Sequence, residues 1–294
     1  MNTSHYYHCA TRGLETVVLF ENASEFIAGM NRIAFCLAGL RKKYHPLILI
    51  CFCLMDNHVH FILYGSREAC LAFLEMYRRL SCIWLKNHRD GTQIEEGWRY
   101  DAWLIPDRDS LMEKIAYVHR NPQVAGIRCT PSGYRWSSAN LLFSDHSLEK
   151  LVAHPLGTLS IYEKRRILGT RIELPDDWLL LPDGLIWPGC YTEFTRTENA
   201  FGNIGKYLFA LNQKVEVAVN QEMLSGEVSL PDGEIVKMAK TIAFERFAVD
   251  DLSLLSIPQR IELCRRLRKR AWAGSKQLAR VFHLPQKELK EIIG

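Results

Sequence analysis

Ten consecutive residues, Pro46 to Met55 (PLILICFCLM), carry no charged or amide side chain. Such a segment has no polar face to turn to water, so both of its faces must be covered. A helix that crosses a bilayer needs roughly 20 apolar residues, which this run does not reach. A buried strand needs about 4–8, and the run predicts a central strand over Leu47–Leu54. Val59–Leu63 reads as the next strand. Met-Asp-Asn is a short polar connection, so the two strands should be antiparallel neighbours.

The surrounding patterns complete a unit. Tyr6–Thr11 reads as a strand closed by Arg12-Gly13. Glu25–Lys43 carries Phe26, Ile27, Met30, Ile33, Ala34, Leu37 and Leu40 at helical spacing. A second helix covers Arg67–Asn87, and Trp98–Ile105 reads as a further strand. Ser110 opens a third helix, with Glu113 at capping-box spacing. Leu111, Ile115 and Val118 form its apolar stripe, and Pro122 sets its end. The order β-α-β-β-α-β-α predicts an α+β, ferredoxin-like antiparallel sheet with packed helices over residues 1–130. Residues 131–256 read as a connecting region of unclear role. Residues 257–294 read as helical, with a helix-turn-helix-like end around His283-Leu284-Pro285.

A chain of 294 residues is long enough for two domains. Its 48% hydrophobic and 24% charged content excludes a disordered, collagenous or fibrous protein. The start lacks a basic segment followed by an apolar one, so the expected location is the cytoplasm. The net charge of +4 conceals an uneven distribution. Residues 260–294 alone carry ten basic and three acidic side chains. A concentrated basic patch is what a phosphate backbone is held by. Nine cysteines stand at spacings that form no disulfide or zinc framework, and read as buried, reduced thiols.

Chemistry concentrates in Asp56-Asn57-His58-Val59-His60. Side chains alternate across a strand, so His58 and His60 share one face about 7 Å apart, and Val59 turns the other way. Two imidazoles on one exposed face can chelate a divalent ion, or can simply be two half-exposed histidines. The second segment is Tyr117-Val118-His119-Arg120-Asn121-Pro122. Tyr117 and Asn121 are four apart and share a helix face away from the apolar stripe. His119 lies roughly 200° round the helix from Tyr117 and reads as a surface side chain.

His-hydrophobe-His followed by Tyr-x-His-x-Asn-Pro, with Tyr7-His8-Cys9-Ala10-Thr11-Arg12-Gly13 near the start, resembles the REP-associated tyrosine transposases among the HUH single-tyrosine transposases. The resemblance covers roughly residues 5–130. It implies that His58 and His60 hold Mg²⁺ or Mn²⁺, with Asn121 completing the ligand set. It implies that Tyr117 attacks a phosphodiester of single-stranded or hairpin DNA, leaving a 5′-phosphotyrosine and a 3′-hydroxyl. Such a protein is a transposase, an enzyme of DNA transposition and recombination, and a homodimer is among the assemblies it allows. A tyrosine hydroxyl with a pKa of ~10 is a poor nucleophile by itself, and a divalent ion offsets the charge that develops on the phosphate.

The chain departs from the family pattern in two places. Asp56 stands where proline is usual, and Gln123 where arginine is usual. Asp56 is thereby an alternative third ligand or a partner for an imidazole proton. Arg12 is a candidate phosphate contact. At the C-terminus, Arg265, Arg266, Lys269, Arg270, Lys276, Gln277 and Arg280 are candidate DNA contacts, with binding expected to weaken in salt. The competing reading is a domesticated DNA-binding protein or repressor with weak or no catalysis. A further alternative is a metal-dependent hydrolase that uses water in place of Tyr117.

Overall fold

The computed structural model describes residues 3–12, 18–89, 98–125, 127, 129–212, 232–271, 273–285, 289, 291 and 292, apart from the side chains of Arg12, Asp232 and Lys276. Its centre is a sheet of β1 (His5–Arg12), β2 (Leu47–Leu54), β3 (Val59–Gly65) and β4 (Arg99–Ile105). The strand order is β2-β3-β1-β4 and every pairing is antiparallel. The protein is therefore α+β, with a four-stranded antiparallel sheet.

Alternation along β3 splits its side chains between two cores. Val59, Phe61 and Leu63 join a cluster with Met30, Ile33 and Leu37 of α1 (Ala23–Leu40) and Phe73 and Tyr77 of α2 (Arg67–His88). Ile62 joins the opposite cluster with Leu111, Ile115 and Val118 of α3 (Arg108–Val124). In β2, Leu49, Phe52 and Leu54 serve the first core, and Ile50, Cys51 and Cys53 the second. A shift of register between Leu49 and Cys51 accommodates the change. Being covered on both faces accounts for the uninterrupted apolar run.

Two expectations for α3 need correction. Its N-cap is Asp107, whose carboxylate accepts the Ser110 N–H, so the helix starts before Ser110. It also runs through Pro122 to Val124. Proline lacks the N–H that would bond to Val118 four residues back. The Asn121 side-chain amide donates to that oxygen (3.3 Å) and to the Tyr117 oxygen (2.9 Å), so the carbonyl is not stranded.

The clusters do not stop at residue 130. Tyr134, Leu142, and Phe201, Tyr207 and Leu211 of the helices Phe194–Phe201 and Ile204–Asn212 complete the α3 side. Leu156, Leu168, Leu180, Ile186 and Tyr191 complete the other. The same segment lines the outer edge of β2. Leu54 N–H donates to the Trp136 oxygen (2.8 Å), Phe52 N–H to the Ser138 hydroxyl (2.9 Å), and Glu193 N–H to the Leu49 oxygen (2.8 Å).

A separate hydrophobic cluster follows. It joins the helices Asp232–Phe247, Ile257–Ala271 and Ser275–Val281 through Ile235, Ala239, Ile242, Leu263, Leu267, Leu278 and Phe282. Arg260 braces it by donating to the backbone oxygens of Ser253, Leu255 and Phe282. His283, in the turn after the third helix, has φ of +52°, the left-handed conformation that glycine adopts most easily. This cluster meets the sheet unit at Gly233, whose N–H lies 3.4 Å from Asp56 Oδ2. A Cβ on Gly233 would sit 2.4 Å from the Glu21 backbone oxygen, so only glycine permits this approach.

All nine cysteines lack a disulfide, and seven are buried. Burial raises the Cys36 and Cys51 thiols and pushes Cys264 up to about 12. Among the described residues no helix is long and apolar enough to cross a membrane.

Candidate functional site

The α3-facing side of the sheet carries three imidazoles and one phenol at its β3 entrance. Met55 N–H donates to the His58 oxygen (2.8 Å), closing the turn between β2 and β3. Val59 N–H donates to the Thr11 hydroxyl (3.1 Å), which fixes the strand between the two histidines. The His58 and His60 rings lie 4.9 Å apart, nearly perpendicular. Val59 is buried in the opposite core.

Tyr117 reaches these rings from α3. Its ring centre is 5.5 Å from His60 and 5.7 Å from His8, edge to face with both. Lys114 Nζ lies 5.7 Å from the Tyr117 ring centre. Tyr117 is 37% exposed while its ring packs on the imidazoles of His60 and His8.

Sequence spacing does not single out His8. Its ring lies nearly parallel to that of His60 (5.3 Å between centres, 12° between planes), and its Nε2 is 3.1 Å from His60 Nδ1. Trp103 lies beyond it at 5.6 Å. Alternation along β1 assigns Tyr6, His8 and Ala10 to one face. That this is the histidine face follows only from the antiparallel register, Ala10 opposite His60 and His8 opposite Ile62. The small Ala10 leaves the space across from His60 that the His8 ring fills.

The electrostatics favour an uncharged His60 ring. His60 is 6% exposed, and burial, with His58 and His8 adding to it, pushes its imidazole well below the usual histidine range. His58 Nδ1 lies 2.7 Å from Asn57 Oδ1. An amide oxygen only accepts, so the ring donates from Nδ1. A neutral imidazole oriented by a donated N–H is the form in which histidine ligates metals. Among the described residues, no three His, Cys, Asp or Glu side chains stand as a metal-ligand group.

Asn121 commits its Nδ2 to the α3 backbone, so only its Oδ1 could act as a ligand. Asp56 is buried and gives at least one carboxylate oxygen to Gly233 N–H. His119, expected at the surface, is fully buried. Its Nδ1 is 2.9 Å from the Tyr207 hydroxyl and its Nε2 2.9 Å from Ser138 Oγ, because the segment after residue 130 covers this side of α3. Burial pushes it down to about 3.

Arg265, Arg266, Lys269 and Arg270 are exposed on the helix Ile257–Ala271, with Arg266 paired to Glu262 at 3.1 Å. Arg280 is half-buried. Gln277, expected at the DNA surface, is instead buried, since it lies on the inner side of the short helix Ser275–Val281. The side chains of Arg12 and Lys276 lie outside the described residues. Comparison with protein-family models, with curated proteins and with solved structures finds no match to this chain.

Proposed function

We propose that this protein is a metal-dependent endonuclease and strand transferase for single-stranded or hairpin DNA, of the HUH single-tyrosine type. The observation that carries the reading is the packing of the part-exposed Tyr117 against His60 and His8, with the His58 ring 4.9 Å from that of His60. The sheet order β2-β3-β1-β4 in a β-α-β-β-α-β sequence is that of a ferredoxin-like fold and supports it.

Two imidazoles on one sheet face suit a divalent cation, and His58, His60 and Asn121 Oδ1 are the proposed ligands. Mg²⁺ or Mn²⁺ bound there supplies charge neutralisation at the scissile phosphate. The Tyr117 oxygen attacks phosphorus, the bond to the departing 3′-oxygen breaks, and the phenolic proton ends on that oxygen. The products are a 5′-phosphotyrosine and a free 3′-hydroxyl. Attack by another 3′-hydroxyl breaks the tyrosine–phosphorus bond and returns a proton to Tyr117. Phosphodiester energy is kept in the covalent link, so no nucleotide cofactor is needed.

The test is a labelled single-stranded hairpin DNA with Mn²⁺, resolved on a denaturing gel. The wild-type chain should form a covalent adduct and Tyr117→Phe none. Cleavage by the wild type with no adduct would replace Tyr117 by water as the nucleophile. A second reading, a DNA-binding protein without catalysis, is favoured by the separate core of the C-terminal helices and their exposed Arg265, Lys269 and Arg270. Duplex binding with neither cleavage nor adduct would select it.

A further inference from the structure

We infer that His8 is a positioning residue that fixes the tautomer of His60 and so turns the His60 Nε2 lone pair toward the site. The choice of tautomer rests on the metal-site reading above, and the contact between the two rings on the geometry alone.

Two imidazole nitrogens 3.1 Å apart share one proton between them. Either His60 donates from Nδ1 to His8 Nε2, or His8 donates from Nε2 to His60 Nδ1. The second arrangement puts the remaining His60 proton on Nε2. His60 is buried, and among the described residues its only hydrogen-bond partner is His8. That proton would occupy the atom a cation needs, so the metal-site reading requires the first arrangement, with His8 Nε2 accepting the His60 Nδ1–H. With the proton on Nδ1 the donor is satisfied and Nε2 keeps its lone pair.

His58 Nδ1 has a different acceptor, the Asn57 amide oxygen. The metal-site reading asks an Nε2 lone pair of both rings of the His-Val-His segment, and in each the Nδ1 has an acceptor beside it. The register explains why His8 can do this. Ala10 is opposite His60, and its methyl leaves the diagonal position to His8. The His8 ring also meets the Tyr117 ring edge to face, so one residue sets the His60 proton and supports the nucleophile's ring.

The experiment uses the full chain labelled with ¹⁵N-histidine and free of metal. Long-range ¹H–¹⁵N correlation should show His60 with a protonated Nδ1 and an unprotonated Nε2. His8→Leu removes the acceptor and should shift His60 toward the Nε2–H form. Mn²⁺ binding, read by electron paramagnetic resonance of the free ion, should weaken about 10-fold. His8→Gln places an amide oxygen near the former Nε2 position and should restore both the nitrogen pattern and most of the affinity. A protonated Nε2 on wild-type His60, or a His8→Leu protein with unchanged His60 nitrogens, overturns the assignment. So does a folded His8→Gln protein as defective as His8→Leu. Absence of Mn²⁺ binding by the wild-type chain overturns the metal reading instead, because the nitrogen pattern judges His8 without metal.

Discussion

Asn121 stands in for the amide that Pro122 lacks: its Nδ2 donates to the Val118 oxygen at 3.3 Å, the acceptor residue 122 would have used. It also holds the Tyr117 oxygen at 2.9 Å, which ties the last turn of α3 to the residue that carries the phenol. Asn121→Asp replaces a donor by an anion facing two carbonyls. We expect a loss of about 1–3 kcal/mol in urea unfolding, and no gain in Mn²⁺ affinity despite the better oxygen ligand. Asn121→Asp with tighter Mn²⁺ binding and unchanged stability would show that metal ligation outweighs this backbone role.

His119 makes stability fall with acid. The buried ring is neutral when folded and pushed down to about 3, whereas the unfolded chain titrates near 6.5. The unfolded state therefore binds more protons between these values. The stabilisation is complete above about pH 6.5 and is lost as pH falls toward 3. His60, also lowered by burial, acts in the same direction. The urea midpoint should drop between about pH 7.5 and about pH 5, and His119→Gln should reduce that drop. An equal drop in both proteins would assign the acid sensitivity to other groups.

Gly233→Ala should loosen the junction between the C-terminal helices and the sheet unit. The new methyl would meet the Glu21 backbone oxygen at 2.4 Å, and backbone gives way poorly. A cost of about 1–3 kcal/mol is expected. Hydrogen exchange at Leu19 and Phe20 should quicken, because both amides donate to the Asp56 oxygen beside that approach. Unchanged exchange there would place the strain elsewhere.

The exposed basic side chains of Ile257–Ala271 should differ in weight. Reversing Arg265 and Lys269 to Glu should weaken DNA binding and make the salt dependence shallower by roughly 0.7–0.9 for each phosphate no longer neutralised. Arg266→Ala should matter less, since Glu262 already pairs with it. Arg260→Ala should instead lower the melting temperature, because its guanidinium holds three backbone oxygens. A uniform effect of all these changes on binding would contradict a defined DNA-facing surface.

The antiparallel sheet and its flanking helices were legible because their periodicities are clean. Val59 between His58 and His60 is a two-residue alternation, and α1 repeats apolar residues at helical spacing. His8 was not legible as a site residue, because its relation to His60 depends on how β1 and β3 register across some 50 intervening residues. His119 was misplaced for a related reason. Helical geometry does put it far round from Tyr117, but that side is surface only if nothing covers it. Tyr207 and Ser138 come from a stretch of weak periodicity, and tertiary packing buried the ring. Asp107 took the cap from Ser110 because both positions offer an oxygen, and the aspartate lies three residues ahead of an N–H that needs one.

The cover over the outer edge of β2 bears on how much of the chain makes a viable protein. LILICFCL is rich in aliphatic side chains and carries no charge, the composition that recruits further strands when its hydrogen-bonding edge is bare. Trp136, Ser138 and Glu193 occupy that edge. A fragment cut at residue 130 would keep Tyr117 and the three histidines yet lack these partners. Such a fragment should associate edge to edge and precipitate, so the smallest soluble unit bearing the site extends past residue 193.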